Sequence, residues 1–598
     1  MSTYAAPLAD MQFVMREIAG LDEVAAMPAC AEATPDVVDA VLEEAAKFAA
    51  GVLDPLNRVG DREGARLVDG RVLPPAGFAE AYRQFIAAGW NGLGAPAACG
   101  GQGLPHLVAM VVQEMWNSAN MAFCLAPMLT SGVIEALSLR GSPEQRQCYL
   151  ARLTAGTWSG TMNLTEPQAG SDLSAIRTRA VREGDHYRIS GTKIFITWGE
   201  HDMAENIVHL VLARTPDAPE GVKGISLFIV PKYLVNADGS TGARNDLQCV
   251  SLERKLGIHA SPTCVMSYGE KEGAIGYLVG EENRGLEIMF VMMNHARLGV
   301  GLEGVALAER AWQHAREYAK TRVQGRAIGG TGGERVAIVH HPDVRRMLLS
   351  MRSQVEAMRA LAYTAAAALD KARHHPDASE RRRNQAFVDL LIPVVKGWCT
   401  EQAIEVASTG VQIHGGLGFI EDSGAAQYLR DARITAIYEG TTAIQANDLI
   451  GRKLARDGGA TARAVGAAMQ QTLAELQASG NAHCRAIAGR FAPALAAWGD
   501  AATWIATHYK EDVRAVHAGS VPFLMLTGQV AGGWQMARAA LAAERRLARG
   551  DAERAFLEAK LYTARFYADQ VLTAAAGLRD SIVGGAAGLA IDNDQFQA

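Results

Sequence analysis

One glutamate, Glu439, stands in a segment that could support acid–base chemistry, residues 437–445 (IYEGTTAIQ). It follows a tyrosine, precedes a glycine, and is close to the hydroxyls of Thr441 and Thr442. Among apolar neighbours, burial would raise the pKa of its carboxyl group, as a general base requires. A helix cap or a solvated side chain remains the alternative on the residues alone. The segment therefore supplies a candidate base without indicating its substrate.

A second segment, residues 162–172 (MNLTEPQAGSD), places hydroxyls and glycine after a short apolar run. Thr165, Glu166, Pro167, Gly170 and Ser171 predict a turn rich in exposed backbone amides and hydroxyls. Such a turn can bind the polar edge of a flat heterocycle or a phosphate. An ordinary Pro–Gly turn is the alternative, and composition alone does not decide between them.

A third segment, residues 412–416 (QIHGG), contains a glycine pair that would let the backbone approach a ligand closely. No GxGxxG motif lies in a strand–turn–helix context, so a Rossmann nucleotide site is not indicated. A helix C-terminus is the alternative explanation for the two glycines.

The composition limits the class of protein to which these segments belong. The chain has 598 residues, 49% hydrophobic and 20% charged, with a net charge of −6. Disordered chains are poorer in apolar residues, and nucleic-acid binders usually carry a basic excess. The eight cysteines are too dilute for a disulfide scaffold and show no zinc-site spacing, so we expect no metal site. Reduced, scattered cysteines predict a cytoplasmic protein.

Periodicity divides the chain into four expected domains. Residues 1–158 show helical spacing, and no signal peptide is expected at their start. Residues 159–282 contain short β-branched runs, at 186–189, 193–197, 207–213 and 225–230, which predict an antiparallel β-domain. Helical periodicity returns over 283–457 and continues in an alanine-rich region, 458–598. The expected fold class is therefore α+β, with a β-domain between helical domains and an appended helical domain.

Two other stretches have simple structural interpretations. Residues 521–537 (VPFLMLTGQVAGGWQMA) are apolar but short for a membrane span. We interpret them as a buried helix, with contact to a membrane surface as the less favoured alternative. Residues 371–385 (KARHHPDASERRRNQ) are charged and contain a proline, so they predict a solvated connection between helices. A nucleic-acid patch is the less favoured alternative, because no aromatic residues alternate with the arginines.

Taken together and in this order, the segments resemble the acyl-CoA dehydrogenase family. MNLTEPQAGSD resembles its first flavin-binding signature, and RDARITAIYEGTTAIQ resembles the second, which contains the catalytic glutamate. GTKIFITWG, AKTRVQG and VQIHGGLGF match intervening segments, and the resemblance covers residues 92–453. The start of the chain and its long C-terminal region resemble a larger bacterial branch. That branch includes 3-methylmercaptopropionyl-CoA dehydrogenase-like and long-chain enzymes.

The resemblance implies the family fold, a helical domain, a central β-domain and a helical bundle, with FAD bound between them. It also implies a set of FAD contacts, some reaching across a homodimer interface. These are Met162, Leu164, Thr165, Gly170, Ser171, Phe195, Ile196, Thr197, Arg322, Gln324, Gln412, Gly415, Gly416, Thr441, Ala443 and Gln445. The family often has tryptophan where this chain has Phe195. His341 stands where the family places another FAD contact, but Pro342 replaces the glutamine usual there, so this contact is not included.

For the substrate, the resemblance implies an acyl-CoA thioester near Ser171, Asn294, Arg297 and Gly440. Some family members place the base immediately before this arginine, but here that position is Ala296, which leaves Glu439. In the implied reaction, Glu439 removes the α-proton of the substrate, and the β-hydrogen is transferred to FAD. Its product is a trans-2-enoyl-CoA, as in fatty-acid β-oxidation.

The resemblance also implies electron-transferring flavoprotein as the acceptor. Alternatives remain open: a 3-methylmercaptopropionyl-CoA dehydrogenase, an acyl-CoA oxidase, or a DNA-associated flavoprotein of the alkylation-response type. The mixed charges of the C-terminal region count against the last, since salt-dependent DNA binding requires a basic surface. A nitroalkane oxidase usually has Asp as its base, so Glu439 counts against it.

Overall fold

The structure is a computed structural model that describes residues 3–329, 334–589, 591–592 and 594–595. Its first domain is mainly helical, and α3 begins where the sequence favours it, with the Thr34 hydroxyl accepting from the Val37 amide at 3.4 Å. The helices are α1 Leu8–Phe13, α2 Leu21–Ala25, α3 Pro35–Phe48, α4 Asp54–Glu63, α5 Phe78–Ala87, α6 His106–Arg140 and α7 Pro143–Ala155.

The helical pattern expected up to residue 158 is interrupted by a β-hairpin that the sequence analysis did not predict. Its strands are β1 Arg66–Val68 and β2 Arg71–Leu73. Asp69 and Gly70 form the turn, both at positive φ (48° and 75°). An Asp-Gly pair suits the two-residue turn of a hairpin, so the signal was present but short.

The long helix α6 forms much of the core beneath the β-domain. It is broken at Asn120 (φ −159°, ψ 85°), whose side-chain oxygen accepts from the Phe123 amide at 3.1 Å. Among the described residues, α6 alone is long and apolar enough to cross a membrane, and most of that apolar stretch is buried inside the protein.

The central domain is built on an eight-stranded sheet with the order β10-β11-β5-β12-β7-β6-β3, and β4 pairs with β5. Its eight strands are β3 Trp158–Asn163, β4 Arg179–Glu183, β5 His186–Thr197, β6 Asn206–Ala213, β7 Ser226–Pro231, β10 Leu247–Leu252, β11 Thr263–Tyr268 and β12 Ala274–Leu278. Two further strands, β8 Tyr233–Val235 and β9 Thr241–Arg244, form a separate two-stranded sheet. Strands β6 and β7 are buried throughout, as expected for a sheet covered on both faces.

Two details differ from the expected antiparallel arrangement. Strand β3 pairs with β6 in parallel, from Trp158 opposite Asn206 to Asn163 opposite Val211. In addition, residues 236–245 contain β9, which pairs with β8 and was not predicted by the sequence analysis. Asn245 at their end is buried, and its amide donates to the carbonyls of Pro231 and Ile275.

The helical bundle that follows consists of long helices packed side by side. Its elements are α8 Gly285–Thr321, β13 Val323–Arg326, β14 Arg335–Ala337, α9 Pro342–His374, α10 Ala378–His414, α11 Gly416–Phe419, α12 Ala425–Thr435 and α13 Thr442–Asp448. The expected connection between helices is confirmed but short, because α9 and α10 leave only residues 375–377 between them.

The appended domain is helical, as predicted, with α14 Ala460–Ala478, α15 Ala482–His508, α16 Val513–Ala518, α17 Ser520–Ala548, α18 Arg554–Gln570 and α19 Ala575–Gly584. The interpretation of residues 521–537 as a buried helix is confirmed by α17. A Cβ added to Gly528 of α17 would lie 2.1 Å from the Trp398 side chain of α10. Glycine there lets the appended domain pack directly against the bundle.

Candidate active site

Glu439 lies in the short loop between α12 and α13, and its backbone is strained. Its φ of 55° is in the left-handed region, which costs free energy for a residue other than glycine. The side-chain amide of Gln445 donates to the carbonyls of Glu439 (3.1 Å) and Gly440 (3.3 Å). Thr441 begins α13, its hydroxyl accepting from the Ile444 amide. Glu439 is thus held in an unusual conformation rather than exposed as a cap.

The electrostatic surroundings of Glu439 suit a base that works near neutral pH. Burial raises the pKa of its carboxyl group to about 7, although the cations of Arg297 and Lys396 oppose the increase. At neutral pH the group therefore exists in both protonation states, as a general base requires.

Arg297 and Asn294, three residues apart on α8, are in contact. The Arg297 guanidinium donates to the Asn294 side-chain oxygen at 3.3 Å and lies 3.6 Å from Asp448. Arg297 is buried, whereas Asn294 is exposed. The pair therefore runs from the surroundings of Glu439 to the protein surface, a path that an elongated substrate could follow.

Three charged residues beside Glu439 were missed by the sequence analysis. Glu303 of α8 accepts a hydrogen bond from the Tyr438 hydroxyl, and Glu401 of α10 accepts one from the Thr442 hydroxyl at 2.5 Å. Lys396 of α10 is fully buried, and the carboxylates of Glu439, Glu303 and Glu401 act on it electrostatically. Glu303 and Lys396 interrupt apolar runs (GLEGVALA and LIPVVKGW), a signal that could have identified them.

In the first signature, Glu166 is not part of an exposed turn, which corrects the sequence interpretation. It is buried and pairs with the Lys193 ammonium at 2.8 Å. It also accepts from the backbone amides of Arg177 and Thr178, at 2.6 and 3.0 Å. Lys193 donates further to the carbonyl of Leu164 at 2.9 Å. Glu166 therefore fastens the turn to β5, and residues on either side of it are left to face a ligand.

The remaining turn residues are open. Gly170 and Ser171 are exposed, and a Cβ added to Gly170 would meet nothing within 4 Å. Met162, Leu164 and Thr165 are partly buried, and the Thr165 carbonyl accepts from the Ile194 amide at 2.9 Å. The turn is thereby joined to the end of β5, where the next predicted contacts lie.

At that end of β5, Phe195 has φ 61° and leaves 57% of its side chain exposed, while Ile196 is buried. Thr197 is partly buried and pairs with Thr263 across the sheet. Phe195 thus combines a strained backbone with an exposed aromatic ring, beside an open turn of hydroxyls and amides. These features fit a flat heterocycle with one polar edge, which is the chemistry of a flavin ring.

The predicted contacts with FAD across a dimer interface lie at the surface. Arg322 and Gln324 are exposed on and next to β13, and the Gln324 carbonyl is bonded to the His341 imidazole at 2.7 Å. Gln412, Gly415 and Gly416 are also exposed at the junction of α10 and α11. Within the described residues, none of these five residues forms a hydrogen bond or ion pair with Glu439.

Comparison with known families covers nearly the whole chain. Residues 36–157 match the acyl-CoA dehydrogenase N-terminal domain, 161–269 the middle domain and 283–454 the C-terminal domain. Residues 465–591 match a further family described as acetyl-CoA dehydrogenase C-terminal like. The chain belongs to the acyl-CoA dehydrogenase family. Members are FAD-dependent oxidoreductases that act on acyl-CoA thioesters, so the chain is an FAD-dependent acyl-CoA dehydrogenase.

Similar acyl-CoA dehydrogenases include the 3-methylmercaptopropionyl-CoA dehydrogenase of Ruegeria pomeroyi, 54% identical over 95% of this chain and 96% of that one. A broad-specificity linear acyl-CoA dehydrogenase of Mycobacterium tuberculosis is 35% identical over 97% of this chain and 98% of its own length. A crystal structure of an acyl-CoA dehydrogenase complexed with FAD from Bacillus anthracis shares the fold. Its TM-score is 0.73 at 20% identity, covering 98% of this chain and 93% of that one.

Proposed function

We propose that Glu439 is the base that removes the α-proton of the acyl-CoA substrate. The observation that carries this proposal is the environment of Glu439: the residue is partly buried, its carboxyl group has a pKa raised to about 7, and the Arg297 and Lys396 cations act on it. A carboxylate with these properties can accept a proton at neutral pH without being permanently protonated.

The chain's own residues supply placement and electrostatics. Within the described residues, the Glu439 amide donates to no backbone carbonyl, so it is available to the thioester carbonyl of a substrate. A donor aimed there stabilises the negative charge that develops as the α-proton leaves. Bound FAD would supply the redox chemistry, the capacity to take up the β-hydrogen with its electron pair. The turn at Thr165, Gly170 and Ser171 and the Phe195 ring would hold it.

For the substrate we propose a short acyl chain, with 3-methylmercaptopropionyl-CoA preferred. The support is the similarity to the Ruegeria pomeroyi enzyme of that name, which extends over both chains almost completely. Steady-state assays with an artificial electron acceptor should give the highest kcat/KM for this thioether. Pentanoyl-CoA is the matched control, because a methylene replaces the sulfur. A preference for palmitoyl-CoA would contradict the proposal, and peroxide formed during turnover would indicate an oxidase.

The proposed base also predicts the pH dependence of the reaction. Glu439 acts when ionised, and its pKa is about 7. We therefore expect kcat/KM to fall about tenfold per pH unit below that value and to level off above it. The measurement is a pH profile of kcat/KM for 3-methylmercaptopropionyl-CoA between pH 5 and 9, at constant ionic strength. A flat profile down to pH 5 would show that a different group accepts the proton.

We further propose a homodimer, with electron-transferring flavoprotein as the electron acceptor. The support for the homodimer is the exposed apolar surface of Leu417, Phe419 and Ile420, which follows the exposed Gly415 and Gly416. An exposed apolar surface of this kind favours association with another chain.

The electron acceptor is proposed from the resemblance of the signature motifs. A cytoplasmic location is proposed from composition, and the eight cysteines are free thiols in the structure.

A further inference from the structure

The catalytic loop, residues 438–442, is fastened to two different helices by two glutamates. At one end the Tyr438 hydroxyl donates to Glu303 of α8, and at the other the Thr442 hydroxyl donates to Glu401 of α10 at 2.5 Å. Glu439, at φ 55°, lies between the two attachment points. A strained backbone of this kind persists only where its surroundings hold it.

The burial of Glu303 is energetically unfavourable for the fold. It is fully buried, its Oε1 atom has no hydrogen-bond partner within the described residues, and burial raises the pKa of its carboxyl group to about 8. A buried carboxyl group that is incompletely paired destabilises a fold. An apolar side chain at this position would thus make the fold more stable. The residue that it holds, Tyr438, directly precedes the proposed base.

The charged groups around Glu439 come from both helices. Arg297 and Glu303 face it from α8, and Lys396 faces it from α10, where burial lowers the pKa of the Lys396 ammonium to about 8. Lys396 is influenced by Glu439, Glu303 and Glu401 alike. It therefore supplies a positive charge shared by the base and by both glutamates that fasten the loop.

We propose that Glu303 is a positioning residue for the base: its hydrogen bond to Tyr438 fixes the loop that presents Glu439 to the substrate, and Lys396 balances the charge of the acidic groups. This inference rests on the proposed role of Glu439 and specifies how the same site is held. Neither Glu303 nor Lys396 needs to touch the substrate for this role.

The test compares four variants of the full-length, FAD-loaded enzyme. Tyr438→Phe and Glu303→Leu each remove the hydrogen bond, and each should lower kcat by about 10–100-fold, because a misplacement of about 1 Å has effects of this size. KM should change by less than about twofold, since the substrate-binding groups remain. Glu303→Gln keeps an oxygen that accepts from Tyr438 and should retain most of the activity. The double variant Tyr438→Phe/Glu303→Leu should be no worse than either single variant, since both remove one interaction.

Tyr567→Phe is the matched control, because its buried hydroxyl donates to the Gln529 carbonyl at 2.9 Å in the appended domain. It should leave kcat unchanged, and flavin absorbance checks that each variant is loaded with FAD.

Lys396→Met should move the acid limb of the kcat/KM profile to higher pH, because a cation that favours ionised Glu439 is removed. The positioning role is overturned if Tyr438→Phe keeps the wild-type kcat, or if Glu303→Gln is as slow as Glu303→Leu. Activity in Glu439→Gln would instead overturn the proposed base itself.

Discussion

Replacing Glu439 by Gln is expected to abolish turnover while leaving FAD bound. Gln has nearly the same shape as Glu but cannot accept the α-proton, and loss of a general base typically lowers the rate by about 10²–10⁴-fold. The loss should appear in kcat, because a substitution of this kind leaves substrate binding largely intact. Anaerobic stopped-flow measurement of flavin bleaching with excess acyl-CoA isolates the reductive half-reaction from the later transfer of electrons.

Glu405→Gln is the matched control for this variant, because Glu405 is exposed on α10, the helix that carries Lys396. It should bleach at the wild-type rate. Normal bleaching by Glu439→Gln would show that another group removes the proton. A colourless Glu439→Gln protein would show that the residue supports the FAD site instead.

Replacing Arg359 by Met is expected to cause the largest loss of stability. Arg359 is 1% exposed and is bonded to Glu114 at 2.6 Å, Glu309 at 2.8 Å and Asp10 at 2.5 Å. Removing one partner from a buried ionic cluster costs about 3–5 kcal/mol, because the remaining charges have no compensation. The midpoint of thermal unfolding should therefore fall steeply, and limited proteolysis should become faster.

Arg346→Met is the control, since Arg346 forms a comparable pair with Asp343 at 2.8 Å but at the surface. Exposed pairs of this kind contribute about 0–1 kcal/mol. A similar shift of the midpoint in both variants would contradict the view that the buried cluster stabilises the domain assembly. Since a chain with several domains need not unfold in one step, the midpoint is the quantity to compare.

The sequence identified those features that depend on contiguous residues. Glu439 was found because its neighbours in the chain form a recognisable motif, and α17 because its apolar run is long. Glu303 was missed because its partner, Tyr438, is 135 residues away. The burial of Glu166 was missed for the same reason, because it depends on a contact with Lys193, 27 residues later. The parallel pairing of β3 with β6 was missed because periodicity predicts strands but not their neighbours in a sheet.

The contacts of Asp10 determine when its charge becomes fully compensated as the chain is synthesised. Burial alone would raise the pKa of Asp10, but Lys560 and Arg359 outweigh it and lower the value to about 2. Lys560 follows Asp10 by 550 residues. During synthesis on the ribosome, which proceeds from the N-terminus, this ammonium emerges long after the carboxylate that it pairs with. A nascent chain thus carries the carboxylate with an incomplete set of counterions until α18 has been made, and termination before that point would leave the deficit permanent.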